Sequence, residues 1–159
     1  MTARIPVVKT PKVYVGGAFI RSESGRTFPV YDNSGQFVAN VPQCTRKDLR
    51  NAVEAAAKAG PGWSGRTPYN RGQIIYRLAE MLEARADEMT SVLRQFSPEW
   101  TTAAEREVAE TVDRLVHYAG WADKYEQVRG SANPVAAPFF NFTITEPVGV
   151  IGIIASDAS

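Results

Sequence analysis

Glu146-Pro147-Val148-Gly149-Val150-Ile151-Gly152-Ile153-Ile154-Ala155 reads as a charged turn feeding one buried parallel strand. A run of β-branched residues with no polar alternation needs cover on both faces, which neighbouring strands and crossover helices supply. Only Ser156 to Ser159 follow it. The run is therefore expected to be the first strand of an incomplete, doubly wound α/β sheet whose partners lie on other chain.

Upstream of that strand, Phe140, Phe142 and Ile144 alternate with Asn141, Thr143 and Thr145, the pattern of a half-buried strand. Uncharged and rich in β formers, such a strand is an aggregation hazard at an edge unless something pairs with it. Asn133 to Pro138 before it is punctuated by prolines and reads as a loop. Further back lies a block of four helices. Thr45 is the expected N-cap of the first, with Asp48 completing a capping-box variant; Leu49, Val53, Ala56 and Ala57 form its apolar stripe, and Gly60-Pro61-Gly62 ends it. The second starts at Thr67-Pro68, with proline in the first turn where no donor is needed, and carries Ile74, Ile75, Leu78, Met81 and Leu82. Arg85-Ala86-Asp87 joins it to a third through Met89, Val92, Leu93 and Phe96, which Ser97-Pro98 breaks. The fourth runs from about Thr101 to Gln127, with Val108, Val112, Leu115, Ala119 and Ala122 on one face and Gly130 at its end.

The N-terminal stretch is a meander of short strands. Val13-Tyr14-Val15 turns through Gly16-Gly17 into Ala18-Phe19-Ile20, and Thr27 to Tyr31 turns through Asp32-Asn33-Ser34-Gly35 into Phe37 to Val41.

Composition excludes several function classes. The chain has 159 residues, 44% apolar and 22% charged, which is ordinary for a globular protein. Eighteen basic residues against seventeen acidic leave a net charge of +1 without a single-sign block, so no footprint for nucleic acid or an anionic membrane is expected. The lone Cys44 excludes an internal disulfide framework and fits a reducing compartment. Met1 to Pro11 lacks an apolar core of signal-peptide length, and Val148 to Ala155 is far too short to span a bilayer. The expectation is a cytoplasmic protein. The sequon Asn141-Phe142-Thr143 is then a chance match.

Six blocks in this order carry a resemblance: Val13 to Phe19, Val41 to Asp48, Trp63, Arg71 to Ala79, Tyr118 to Lys124, and Glu146 to Gly152. Together, over about residues 12–155, they resemble the N-terminal part of the aldehyde dehydrogenase superfamily. The Tyr118 to Lys124 block with Asn141-Phe142-Thr143 is similar to the branch with degenerate or tandem domains.

The resemblance implies an aldehyde-dehydrogenase-like α/β fold: residues 1–11 as an arm, 12–138 as the strands and helices of a cofactor-binding domain, 139–146 as an oligomerisation-type strand, and 147–159 as the truncated first strand of a Rossmann-like dinucleotide-binding sheet. It also implies NAD- or NADP-dependent oxidation of an aldehyde to an acid by a cysteine nucleophile and a glutamate-activated water. The family's nucleophile, base and glycine-rich phosphate turn match nothing in these residues, so the chain alone is expected to be inactive and not to bind the cofactor. Self-association or docking onto an aldehyde-dehydrogenase-like chain follows from the strand at 139–146, because sheets in the family extend across subunits.

Ile154, Ala155 and Ser156 align with family residues whose backbone lines the adenine-ribose side of the cofactor cleft, and they are the candidate cofactor-binding residues. Where typical members read Pro-Trp-Asn, with the asparagine donating to the oxyanion, this chain has Ser156-Asp157-Ala158, and alanine cannot donate that bond. Gly149 and Gly152 lack the spacing of a dinucleotide fingerprint and read as close strand packing. His117 with Asp113 one turn back, Cys44 ahead of a helix start, and the acidic group Glu105, Glu107 and Glu110 are the remaining chemistry-bearing sets. Each has a plainer reading: a solvated helix face, an inert thiol, and carboxylates favoured at a helix opening.

Overall fold

The computed structural model describes residues 10–96 and 100–155. Among the described residues there are six short strands, in three separate two-stranded antiparallel sheets, and five helices.

The first hairpin joins β1 (Val13–Val15) to β2 (Ala18–Ile20), with Tyr14 opposite Phe19 and their rings 5.0 Å apart. Gly16 and Gly17 both have positive φ, +60° and +84°, which gives the connection the twist that a tight hairpin needs. The second hairpin joins β3 (Thr27–Tyr31) to β4 (Phe37–Pro42), with a register shift between Val30 and Tyr31. Its turn is organised by Asp32, whose Oδ1 accepts from the Ser34 and Gln36 backbone N–H and from the Ser34 hydroxyl at 2.7–2.9 Å. The Ser34 hydroxyl, ahead of the Gln36 amide, lowers the Asp32 pKa.

Helix α1 spans Arg46–Ser64 and opens on the expected capping box: Thr45 accepts from the backbone of Lys47 and Asp48, and Asp48 accepts from the backbone of Thr45. The helix does not stop at Gly60-Pro61-Gly62 but carries Pro61 inside its last turn, where a proline forfeits one backbone bond at the frayed end. Gly65 caps it by donating to Pro61 O, and the Arg71 guanidinium donates to the carbonyls of Ser64 and Arg66. Its burial also differs from the periodicity. Asp48 is buried and Asn51, Ala52 and Ala55 are half-buried, while the apolar stripe Leu49, Val53, Ala56 and Ala57 faces solvent.

Helix α2 (Pro68–Glu83) begins as expected, with Thr67 accepting from Asn70 N. Helix α3 (Ala86–Phe96) follows a short joint, and the Ser97-Pro98 break lies outside the described residues. The expected long fourth helix is two: α4 (Trp100–Trp121), a turn at residues 122–124, and α5 (Tyr125–Arg129), which Gly130 ends. Lys124 Nζ donates to Gly120 O at 2.8 Å and satisfies a carbonyl at the α4 terminus.

The core lies where α4 packs against α2 and α3. Ala79, Ala104 and Val108 are buried there, and Gly72 is buried where α2 meets α4. A Cβ at Gly72 would stand 2.8 Å from Ala119 O, so glycine is what lets the two helix backbones approach. The other half of the α2 stripe, Ile74, Leu78 and Met81, is exposed. Helix packing thus uses small residues, and no large side chain among the described residues is fully buried.

The last sheet pairs β5 (Ser131–Asn133) with β6 (Asn141–Thr143), Ala132 opposite Phe142. Asn133, expected in a loop, ends a strand, because Ser131-Ala132-Asn133 offers a ladder partner that lacks the apolar alternation by which strands are recognised.

Candidate functional site

Residues 147–155 run on without helix or strand assignment. The expected parallel strand is not formed as a ladder among the described residues, and the physical reason is the one its composition raises: an extended segment is a strand only beside another. Val148, Ile151, Ile153 and Ile154 are exposed, Ile154 at 99%. Gly149 and Gly152, expected to permit close packing, have open space where a Cβ would stand.

The start of this segment lies beside the C-terminal end of α1. Ala56, Ala57, Ala59, Gly60, Pro61 and Trp63 on the helix face Pro147, Gly149, Val150 and Ile151 across a cavity of about 740 Å³. A second cavity of about 650 Å³ lies over the α2–α4 crossing, walled by Tyr69, Tyr76 and Val116, with Arg77, Glu80, Asp123 and Lys124 at its rim. Its charges are largely spoken for: Arg77 is paired with Glu80 at 2.7 Å, and Lys124 with a backbone carbonyl.

Of the candidate cofactor-binding residues, Ile154 and Ala155 are exposed backbone in this extended segment, and Ser156 lies outside the described residues, as do Asp157 and Ala158. Cys44 is an exposed free thiol. His117 packs its ring on Tyr118 and Trp121, at centroid distances of 5.4 and 6.2 Å, which makes it part of a surface aromatic group on α4. Glu105, Glu107 and Glu110 do not occupy the first turn of α4, because the helix begins at Trp100. They are engaged with arginines instead: Glu105 with Arg94 at 2.6 Å, Glu107 with Arg114, and Glu110 with Arg106 and Arg114. Among the described residues no three His, Cys, Asp or Glu side chains gather to hold a metal ion.

The most tightly organised polar cluster centres on Asp48. Its Oδ2 accepts from Ser22 Oγ at 2.7 Å and from Thr45 N at 2.8 Å, and its Oδ1 accepts from Glu23 N at 3.0 Å. The Ser22 hydroxyl first, then the Glu23 and Thr45 backbone, hold its pKa down to about 2. Both oxygens of this carboxylate accept from the chain itself, so the cluster fastens the loop after β2 to the start of α1. Periodicity found Asp48 as a cap; Ser22 carries no local signal, since its partner lies 26 positions away.

Comparison with known proteins assigns the family. Residues 19–156 match the aldehyde dehydrogenase family. The mitochondrial benzaldehyde dehydrogenase of Antirrhinum majus is 35% identical over 152 residues, covering 92% of this chain and 28% of that protein. The omega-crystallin of Nototodarus sloanii is 30% identical over 155 residues, covering 95% of this chain and 31% of its own length. Among solved structures, PnpE in complex with nicotinamide adenine dinucleotide superposes with a TM-score of 0.73 over 84% of this chain and 27% of that one, at 24% identity, a likeness of fold. The chain spans about three-tenths of the length of these relatives, and it belongs to the aldehyde dehydrogenase family as a portion of its dehydrogenase domain.

Proposed function

We propose that these residues form the N-terminal scaffold of an aldehyde-dehydrogenase-like oxidoreductase, whose complete domain oxidises an aldehyde to an acid with NAD or NADP, and that the 159-residue chain has no such turnover alone. The observation that carries this reading is the surface. Among the described residues Leu49 and Val53 on α1 and Val148, Val150, Ile151, Ile153 and Ile154 are exposed, together with apolar side chains along the rest of the chain such as Phe19, Tyr76, Leu78 and Phe140, and these are surfaces that further sheet and helix would cover. In this reading residues 12–138 belong to the cofactor-binding domain, 139–146 to an oligomerisation strand, and 147–159 to the opening strand of the dinucleotide sheet.

The described residues do not fit a bound dinucleotide by themselves. A pyrophosphate is held at a helix N-terminus, where free N–H groups and the positive pole converge. The helix end beside residues 147–151 is the C-terminal end of α1, the opposite pole. Ile154, Ala155 and Ser156 are accordingly proposed as one wall of a cofactor cleft that needs an opposing helix, and no chemical step is routed through them. A cytoplasmic location belongs to the same proposal and is supported by the free, exposed thiol of Cys44; no helix among the described residues is long and apolar enough to cross a membrane.

A second reading, a non-catalytic module that docks onto an intact dehydrogenase chain, is favoured by the β5–β6 hairpin. Phe140, Phe142 and Ile144 are exposed there, with the Phe140 and Phe142 rings 5.3 Å apart.

Calorimetric titration of NAD and NADP into the chain, with turnover assays on aliphatic and aromatic aldehydes, tests the first reading. The expected result is a Kd weaker than about 1 mM and no turnover. Micromolar binding, or turnover lost on Cys44→Ala, would overturn it. Co-sedimentation with an intact family member, with and without Phe142→Lys and Ile144→Lys, separates the second reading from the first: a docking module loses the complex when its β5–β6 hairpin is changed, whereas association through residues 148–154 survives the change.

A further inference from the structure

We draw no further inference here: the strongest candidate, the exposed apolar face of α1 (Leu49, Val53, Ala56 and Ala57) with the cavity between its C-terminal end and residues 147–151, is an unpartnered surface, and nothing in the structure beyond the family's own domain packing shows what covers it.

Discussion

Ser22 Oγ donates to Asp48 Oδ2 at 2.7 Å, and this bond joins the β-hairpin region to the helices. The same carboxylate completes the capping box of α1, so one side chain serves a local and a long-range purpose. Thr45→Ala removes the hydroxyl that accepts from Lys47 and Asp48. It should cost about 0.5–2 kcal/mol, the range for loss of a helix N-cap. Urea unfolding monitored by circular dichroism measures it; an unchanged midpoint would mean that tertiary contacts alone hold the helix start.

The pH dependence of this cluster has a definite sign. Asp48 titrates at about 2 in the folded chain against 3.8 ordinarily, so the fold favours its charged form. That stabilisation is fully present above the ordinary value and is lost as pH falls through the interval down to about 2. Ser22→Ala should remove part of it. The difference in melting temperature between the variant and the parent chain should be constant near neutral pH and shrink once pH drops below about 4. A difference that persists undiminished at the lowest pH would contradict the assignment.

Gly72 and Gly120 make a paired test of the α2–α4 crossing. A methyl at position 72 meets the Ala119 carbonyl at 2.8 Å, a backbone atom that cannot move aside cheaply. Gly72→Ala should therefore destabilise by about 1–3 kcal/mol, the usual cost of overpacking, despite a gain of roughly 1 kcal/mol in helix propensity. At Gly120 the nearest atom is the flexible Lys124 Nζ at 3.7 Å, an ordinary contact. Gly120→Ala, in the last turn of α4 and without a clash, should be neutral to stabilising, by at most about 1 kcal/mol. Chemical denaturation of both variants decides it, and equal effects would refute the close approach at Gly72.

The exposed apolar surface predicts association. Burying a large apolar side chain is worth roughly 1.5–3 kcal/mol, and typical net stability is only about 5–15 kcal/mol. Leaving Val148, Ile151, Ile153 and Ile154 in water should drive the chain to self-associate or to take up a dehydrogenase partner. The double variant Phe142→Lys with Ile144→Lys should raise solubility if the β5–β6 hairpin is a bare edge, and should abolish the complex if it is an interface. Sedimentation velocity reads both; a monomer at high concentration with cooperative unfolding would refute the expectation.

Local signals were the legible ones. The Thr45 capping box, the Thr67-Pro68 helix start and the Gly16-Gly17 turn are encoded within a few residues, and each is formed. Burial was less legible, because an apolar stripe says that a face wants cover without saying whether this stretch of chain supplies it. Leu49 and Val53 on α1, and Leu78 and Met81 on α2, keep the periodicity of a core and lie in solvent. At the α1–α2 joint the helix continues through Pro61, since proline near a helix terminus costs little, and the tie that holds the joint, Arg71 on the carbonyls of Ser64 and Arg66, is a side-chain contact with no pattern of its own. The break at residues 122–124 falls where the helical stripe continues into Ala122, so periodicity alone bridged it. The proposal of Ile154 and Ala155 as a cofactor wall rests on the family resemblance alone, because an apolar strand end carries no cofactor signal of its own.

Among the described residues the three sheets each join strands that are neighbours in sequence. None therefore has to wait for a distant segment to arrive, and loop closure for each costs little entropy. The largest non-local step is the packing of α4 back onto α2, with Gly72 at the crossing. Helices α2, α3 and α4 should accordingly behave as one cooperative opening unit with the slowest amide exchange, while the β5–β6 hairpin frays ahead of it. During synthesis that unit could close as soon as α4 clears the ribosome, and residues 147–155 would emerge afterwards onto a preformed platform.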